Sequence, residues 1–100
     1  MRRPIDAPSA TIRRQIENLG EAGYRLLRPI PVGTQKVGIG DYVESFREPN
    51  IEMSGRDRED ALQALKAEIL ETFEVLSSER RLGPDAAKQR QILCAYIVGE

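Results

Sequence analysis

The clearest hydrophobic pattern in this chain lies between residues 57 and 77, where apolar residues recur every three or four positions. This spacing places side chains on one face of an α-helix. Asp57 is suited to cap the helix, and further acidic residues in the first turn suit the helix dipole. The pattern predicts one long helix from about Asp57 to Ser77. Its apolar face comprises Ala61, Leu62, Leu65, Ile69, Phe73 and Leu76.

Upstream of this helix, alternating apolar residues predict three strands of an antiparallel sheet. The first runs from Tyr24 to Val32, the second from Asp41 to Arg47, and the third lies between the Pro49-Asn50 turn and Gly55. A glycine-rich turn over residues 33–41 joins the first two. Pro29 and Pro31 share one parity of the first strand and remove N–H donors from one side. The prolines therefore place this strand at an edge of the sheet.

The two ends of the chain are predicted to add helices. Residues 1–8 contain two prolines and read as a loose tail. Ile12, Ile16 and Leu19 follow at helical spacing, with Ser9 or Thr11 as a cap, so a short N-terminal helix is expected. A C-terminal helix over residues 84–98 begins at Pro84, because proline is favoured at a first helical position.

These elements predict a single α+β domain over residues 1–100. It has a three-stranded antiparallel sheet packed by one long helix, a β-β-β-α core over residues 24–77, and a helix at each end. Residues of one parity on a strand share a face, so Tyr42 and Phe46 lie on one side of the second strand and Val43 and Ser45 on the other. The predicted core comprises Leu26, Ile30, Val43, Ile51, Leu62, Leu65, Ile69, Phe73 and Leu76.

Composition supports a globular protein and sets limits on its partners. Of 100 residues, 40% are hydrophobic and 31% charged, and the net charge is −1, so the chain as a whole is not drawn to nucleic acid. Residues 1–28 carry six arginines against three acidic residues, a net of +3, whereas residues 29–100 carry nine basic against thirteen acidic residues, a net of −4. No apolar run approaches the ~20 residues of a membrane span. We expect a cytoplasmic protein with no membrane segment.

Candidate chemistry is sparse. The chain has no histidine, which removes the commonest general base. Glu68, Glu71 and Glu74 are more typical of a solvated helix face than of a metal site, and Gly38-Ile39-Gly40 lacks the third glycine and following helix of a phosphate loop. Cys94 is expected to be a small core or interface residue. The sequence therefore predicts no catalytic residue, no metal and no cofactor, and the protein is not expected to be an enzyme.

Several short motifs follow one another in a specific order. They are Tyr42-Val43-Glu44-Ser45-Phe46, then Pro49, then Ser54-Gly55, then Asp57 and Glu59-Asp60-Ala61-Leu62. This order resembles the HicB-like antitoxin domain, and the resemblance extends over roughly Tyr24 to Leu76. It implies a degenerate ribonuclease-H-like sheet crossed by one helix. It also implies that the protein binds and silences a small basic RNA-cleaving toxin, HicA.

The chain departs from the HicB-like pattern in three places. Glu48-Pro49-Asn50 replaces the usual Leu-Pro-Gly turn, no fourth strand is evident, and only one helix follows Gly83 where the family often adds a DNA-binding segment. Operator binding is therefore not part of the expected function.

The expected function is a non-catalytic, antitoxin-like HicB-like module that docks a small basic partner protein on an exposed sheet face or edge near Glu44 and Phe46. One alternative is a stand-alone domain that self-associates, most simply as a dimer, with no toxin partner. A second alternative is weak nucleic-acid binding through an arginine-rich start. The arginines concerned are Arg2, Arg3, Arg13 and Arg14.

Overall fold

The computed structural model describes residues 12–99, in which antiparallel strands and two helices form an α+β fold. The strands are β1 (Ile12–Ile16), β2 (Tyr24–Leu26), β3 (Ile30–Lys36), β4 (Tyr42–Phe46), β5 (Ile51–Gly55) and β6 (Ile97–Gly99), and the helices are α1 (Arg58–Ser78) and α2 (Pro84–Cys94). A four-stranded sheet has the order β1-β3-β4-β5, and β2 pairs with β6 in a separate two-stranded sheet. The α+β class is confirmed, but the main sheet has four strands rather than three. The described residues form two helices rather than three.

The predicted N-terminal helix is wrong, because the segment from Ile12 to Ile16 forms strand β1. It pairs with β3 so that Ile16 lies opposite Ile30, and the Ile16 side chain is 2% exposed. A spacing of four residues suits a strand as well as a helix, and a helix of two turns is marginal in water. Hydrogen bonds to β3 therefore stabilise this segment more than the hydrogen bonds within a short helix would. The loose tail and the two proposed caps lie outside the described residues.

The predicted strand from Tyr24 to Val32 is divided into β2 and β3, with Pro29 in the break between them. The predicted edge position is also wrong, because β3 lies between β1 and β4. Pro31 is nevertheless accommodated. It lies opposite Gln15 of β1, and the pairing between β3 and β4 starts only at Gly33.

Helix α1 agrees closely with its prediction. The N–H of Asp60 donates to Oδ1 of Asp57 over 2.8 Å, so Asp57 is the N-cap. Every residue of the predicted apolar face is buried, and Leu70 joins them. The helix packs against β4 and β5. Ile30 and Ile51 of the predicted core are also buried, whereas Leu26 and Val43 are only partly buried.

The last helix starts at Pro84 as predicted but ends at Cys94 instead of residue 98. The chain then forms β6, which pairs with β2 so that Ile97 lies opposite Leu26. Leu93, Tyr96 and Ile97 are buried together in the core. Because Ile97 and Val98 are β-branched, they suit a strand better than a helix end, and β2 provides the pairing.

Candidate functional site: the open face and free edges of the sheet

The two faces of the four-stranded sheet have different surroundings. Helix α1 covers the face that carries Ile30, Phe46 and Ile51. The register places a second set of residues on the opposite face, where each is exposed or only partly buried. We call this side the open face. It comprises Pro31, Gly33, Gln35, Val43, Ser45 and Glu52. An antiparallel sheet tolerates water on one side, so this face and the sheet edges form the surface available to a partner.

The two residues predicted to contact a partner lie on the covered face instead. Glu44 and Phe46 are both 0% exposed. The Phe46 ring meets Tyr96 edge to face, with 5.0 Å between ring centroids. Neither side chain can contact a partner in this conformation. The prediction assigned Val43 to the core and Glu44 to the surface. Because side chains alternate between the two faces, assigning the wrong face to one residue of the strand assigns the wrong face to all of them.

Glu44 is a charged side chain enclosed in the core. Thr34 and Met53 flank it on the neighbouring strands, and Nε of Arg14 lies 3.7 Å from its Oε1. Both carboxylate oxygens and the Thr34 hydroxyl are buried without a hydrogen-bond partner. A buried carboxylate is costly unless a cation is near. Arg14, which the sequence assigned to nucleic-acid contacts, therefore compensates Glu44. No local pattern could reveal a pair that is thirty residues apart in sequence.

A cavity opens where β3 and β4 separate. Their pairing ends at Gly33 and Ser45, although β3 continues along β1 and β4 continues along β5. The resulting space, which we call the split-sheet cavity, has a volume of about 450 Å³. This volume is typical of small-molecule sites. Its lining consists of Arg14, Pro31, Val32, Gly33, Ser45, Phe46, Arg47 and Glu48.

A second concave region lies beside β5, the edge strand at the opposite end of the sheet from β1. This acidic groove, of about 490 Å³, is lined by Asn50, Ile51, Glu52, Glu68, Thr72 and Gln89. Nε2 of Gln89 donates to the Pro49 carbonyl over 2.6 Å, which holds α2 against the turn before β5. Residues 51–78 hold seven acidic against three basic residues, a net of −4. The negative charge of the chain is therefore concentrated in β5 and α1.

Two tyrosines connect distant elements through carboxylates. The Tyr96 hydroxyl donates to Glu48, and this hydrogen bond, with burial, raises the pKa of Tyr96. The Arg28 guanidinium lies 4.1 Å from the centroid of the same ring. The Tyr24 hydroxyl donates to Glu74, and this hydrogen bond raises the pKa of Tyr24. The same bond links the two-stranded sheet of β2 and β6 to α1. Both tyrosines therefore hold the fold together rather than form a reactive site.

The other candidate groups give no assembled chemistry in the part of the chain that the structure describes. Residues 12–99 contain no group of three or more His, Cys, Asp and Glu side chains that could hold a metal ion. Cys94, expected in a core or interface, is exposed on this chain. Within residues 12–99, no helix is both long and apolar enough to cross a membrane.

No protein-family model matches this chain, and no curated protein or solved structure matches it either. The resemblance to HicB-like domains therefore stays a prediction.

Proposed function

We propose that the chain is a non-catalytic, HicB-like binding module for a small basic protein, which docks along β5 and the acidic groove beside it. The observation that carries this proposal is the combination of an acidic lining with a strand edge that no other strand of residues 12–99 pairs with. Glu52 on β5 and Glu68 on α1 both line this groove, and none of the described residues that line it is basic.

The edge of β5 offers backbone hydrogen bonds to a partner. Among residues 12–99, β4 is the only strand that pairs with β5. A strand edge presents unpaired N–H and C=O groups, and an extended segment of another protein can add to it. Backbone pairing gives affinity but little selectivity, so the selectivity for one partner must come from side chains next to the edge.

The acidic groove supplies that selectivity. With a net charge of −4 over residues 51–78, the region favours a basic partner during encounter and disfavours an acidic one. A small basic RNA-cleaving toxin, the partner implied by the HicB-like resemblance, has the required charge. The docking surface differs from the one expected around Glu44 and Phe46, since those side chains are buried.

The two alternatives predict different contacts. Self-association could use β1, whose only strand neighbour in the described residues is β3. Nucleic-acid binding would rely on the arginine-rich start, but Arg14 already lies next to the Glu44 carboxylate. The experiments that follow distinguish these alternatives.

The test is a pull-down of the tagged protein from its native cells after nuclease treatment. We expect a small basic protein in stoichiometric yield with the wild type and none with the double variant Glu52→Lys/Glu68→Lys. The matched control is Asp41→Lys/Glu79→Lys, which makes the same change in charge at exposed positions outside the groove. Binding should weaken at high salt, because exposed charges are screened.

Two results of the pull-down would contradict the proposal. A partner retained equally by the groove variant and the control would show that the groove is not the docking surface. Wild-type protein that elutes alone as a defined oligomer would favour the self-associating domain. In a separate gel-retardation assay with the purified protein at low salt, a shift caused by duplex DNA or RNA would favour the nucleic-acid alternative.

A further inference from the structure

We infer that the split-sheet cavity binds a small organic anion, with its carboxylate or phosphate group between Arg14 and Arg47 and its apolar part against the cavity wall. This site lies away from the acidic groove, and the inference does not depend on the proposed partner.

The cavity follows from the sheet topology. Beyond Gly33 and Ser45, β3 keeps β1 as its neighbour and β4 keeps β5, so each strand stays in a paired sheet while the two move apart. On the covered side, the Tyr96 ring packs on Phe46 and its hydroxyl donates to Glu48. The pairings of β3 with β1 and of β4 with β5 therefore lie outside the cavity. A ligand can enter it without breaking the hydrogen bonds between paired strands.

The two arginines that line the cavity suit it to an anion. In the described lining, Arg14 and Arg47 are the cationic side chains and Glu48, which accepts the Tyr96 hydroxyl, is the acidic one. The Glu44 carboxylate lies beside Arg14 but is fully buried. Arg14 is 26% exposed, and its Nε is 3.7 Å from Glu44, which is too long for a hydrogen bond. This ion pair thus positions the guanidinium without using its N–H donors. A guanidinium matches carboxylate and phosphate oxygens in geometry as well as in charge.

The rest of the lining selects an anion with an apolar body. Pro31 is the exposed apolar wall, Val32 and Phe46 lie buried behind it at 3% and 0% exposure, and Gly33 contributes no side chain. The Ser45 hydroxyl donates to the Gly33 carbonyl over 3.5 Å, a weak bond that it can exchange for one to the ligand. Inorganic phosphate would leave the apolar wall in contact with water. An aryl carboxylate or aryl phosphate should therefore bind more tightly.

The experiment follows backbone amide resonances of the full chain during titration with benzoate, phenyl phosphate, inorganic phosphate and benzyl alcohol. We expect saturable shifts at Gly33 and Ser45 with benzoate and phenyl phosphate, weaker binding of inorganic phosphate, and no binding of the neutral alcohol. In Arg47→Ala, the Kd should rise by about tenfold, the loss of one charge-assisted hydrogen bond. Arg81→Ala, an exposed arginine outside the cavity, is the matched control and should bind like the wild type.

A second variant tests the other cation without leaving Glu44 uncompensated. Arg14→Lys keeps the positive charge but loses the planar guanidinium, so it should fold and bind the aryl anions more weakly. The inference is overturned if the aryl anions cause no saturable shifts at Gly33 and Ser45, or if benzyl alcohol causes the same shifts. It is also overturned if Arg47→Ala binds as tightly as Arg81→Ala, or if inorganic phosphate binds as tightly as phenyl phosphate.

Discussion

A Cβ atom on Gly55 would lie 2.4 Å from the backbone nitrogen of Ala61 and 2.9 Å from its Cα. Gly55 is the last residue of β5, and the first turn of α1 folds directly back over it. Both Ala61 atoms belong to the helix backbone, which cannot move aside as the tip of a flexible side chain can. The start of α1 can therefore approach the sheet only where this position has no side chain.

The first prediction concerns this close approach. Gly55→Ala should lower the free energy of unfolding by about 3 kcal/mol, the upper end of the usual cost of overpacking, because a backbone must shift. Chemical denaturation measures the change. The control is Gly83→Ala, since a Cβ there meets no atom within 4 Å. Equal losses in the two variants would show that α1 does not pack this closely on β5.

The second prediction concerns the apolar face of α1. Leu65 is 0% exposed in the core, so Leu65→Ala should cost about 2–5 kcal/mol of unfolding free energy. Val75 is 50% exposed on the same helix, and Val75→Ala should change stability by less than about 0.5 kcal/mol. A loss under about 1 kcal/mol for Leu65→Ala would mean that the buried face of the helix is assigned wrongly.

The third prediction concerns the ion pair of the buried Glu44 with the partly exposed Arg14. Arg14→Met removes the cation and leaves a carboxylate without compensation in the core, so a loss of about 3 kcal/mol is expected. Adding Glu44→Leu removes that charge as well, and the double variant should recover most of the loss. A double-mutant cycle from denaturation curves measures the coupling. Losses that simply add would show that the two charges do not interact in the folded protein.

The fourth prediction concerns alkaline pH. The hydrogen bond to Glu48 raises the pKa of Tyr96 above its ordinary value of 10.0, so the folded state favours the protonated hydroxyl. The resulting stability is fully present below the unfolded pKa and is lost as the pH rises through the folded pKa. Unfolding at increasing pH, with tyrosinate absorbance as a second signal, should show this loss in the wild type. The Tyr96→Phe variant should lose less stability over the same pH range. In the Glu48→Gln variant, the Tyr96 hydroxyl should titrate at lower pH than in the wild type. An unchanged tyrosinate titration in Glu48→Gln would contradict the assignment.

The best predicted elements depend on neighbours in sequence. The α1 boundaries followed from an apolar repeat and the Asp57 cap, and β4 and β5 followed from alternation bounded by turns. Asn50 supports the second turn with a φ of 60°, a conformation that Asn tolerates better than most residues. Each of these signals acts over a few residues, so the chain itself displays it.

The elements that prediction missed depend on partners that are distant along the chain. The spacing of Ile12 and Ile16 suits a helix or a strand, and the segment forms a strand because it pairs with β3. The end of the last helix became β6 because β2, more than seventy residues earlier, was there to pair with it. Which face of β4 is buried was also decided at this level, since α1 covers the side that carries Phe46.

The candidate sites divide in the same way. The sequence by itself determined that the chain has an acidic majority after residue 28, no histidine and a capped amphipathic helix, because composition and short-range periodicity do not depend on folding. Only the tertiary structure decided that Glu52 and Glu68 share a groove, that Arg14 lies beside Glu44, and that Arg14 and Arg47 line one cavity. These placements arise from strand register and from the separation of β3 and β4. Both are set by packing between segments far apart in sequence, where no local pattern specifies the distance between side chains.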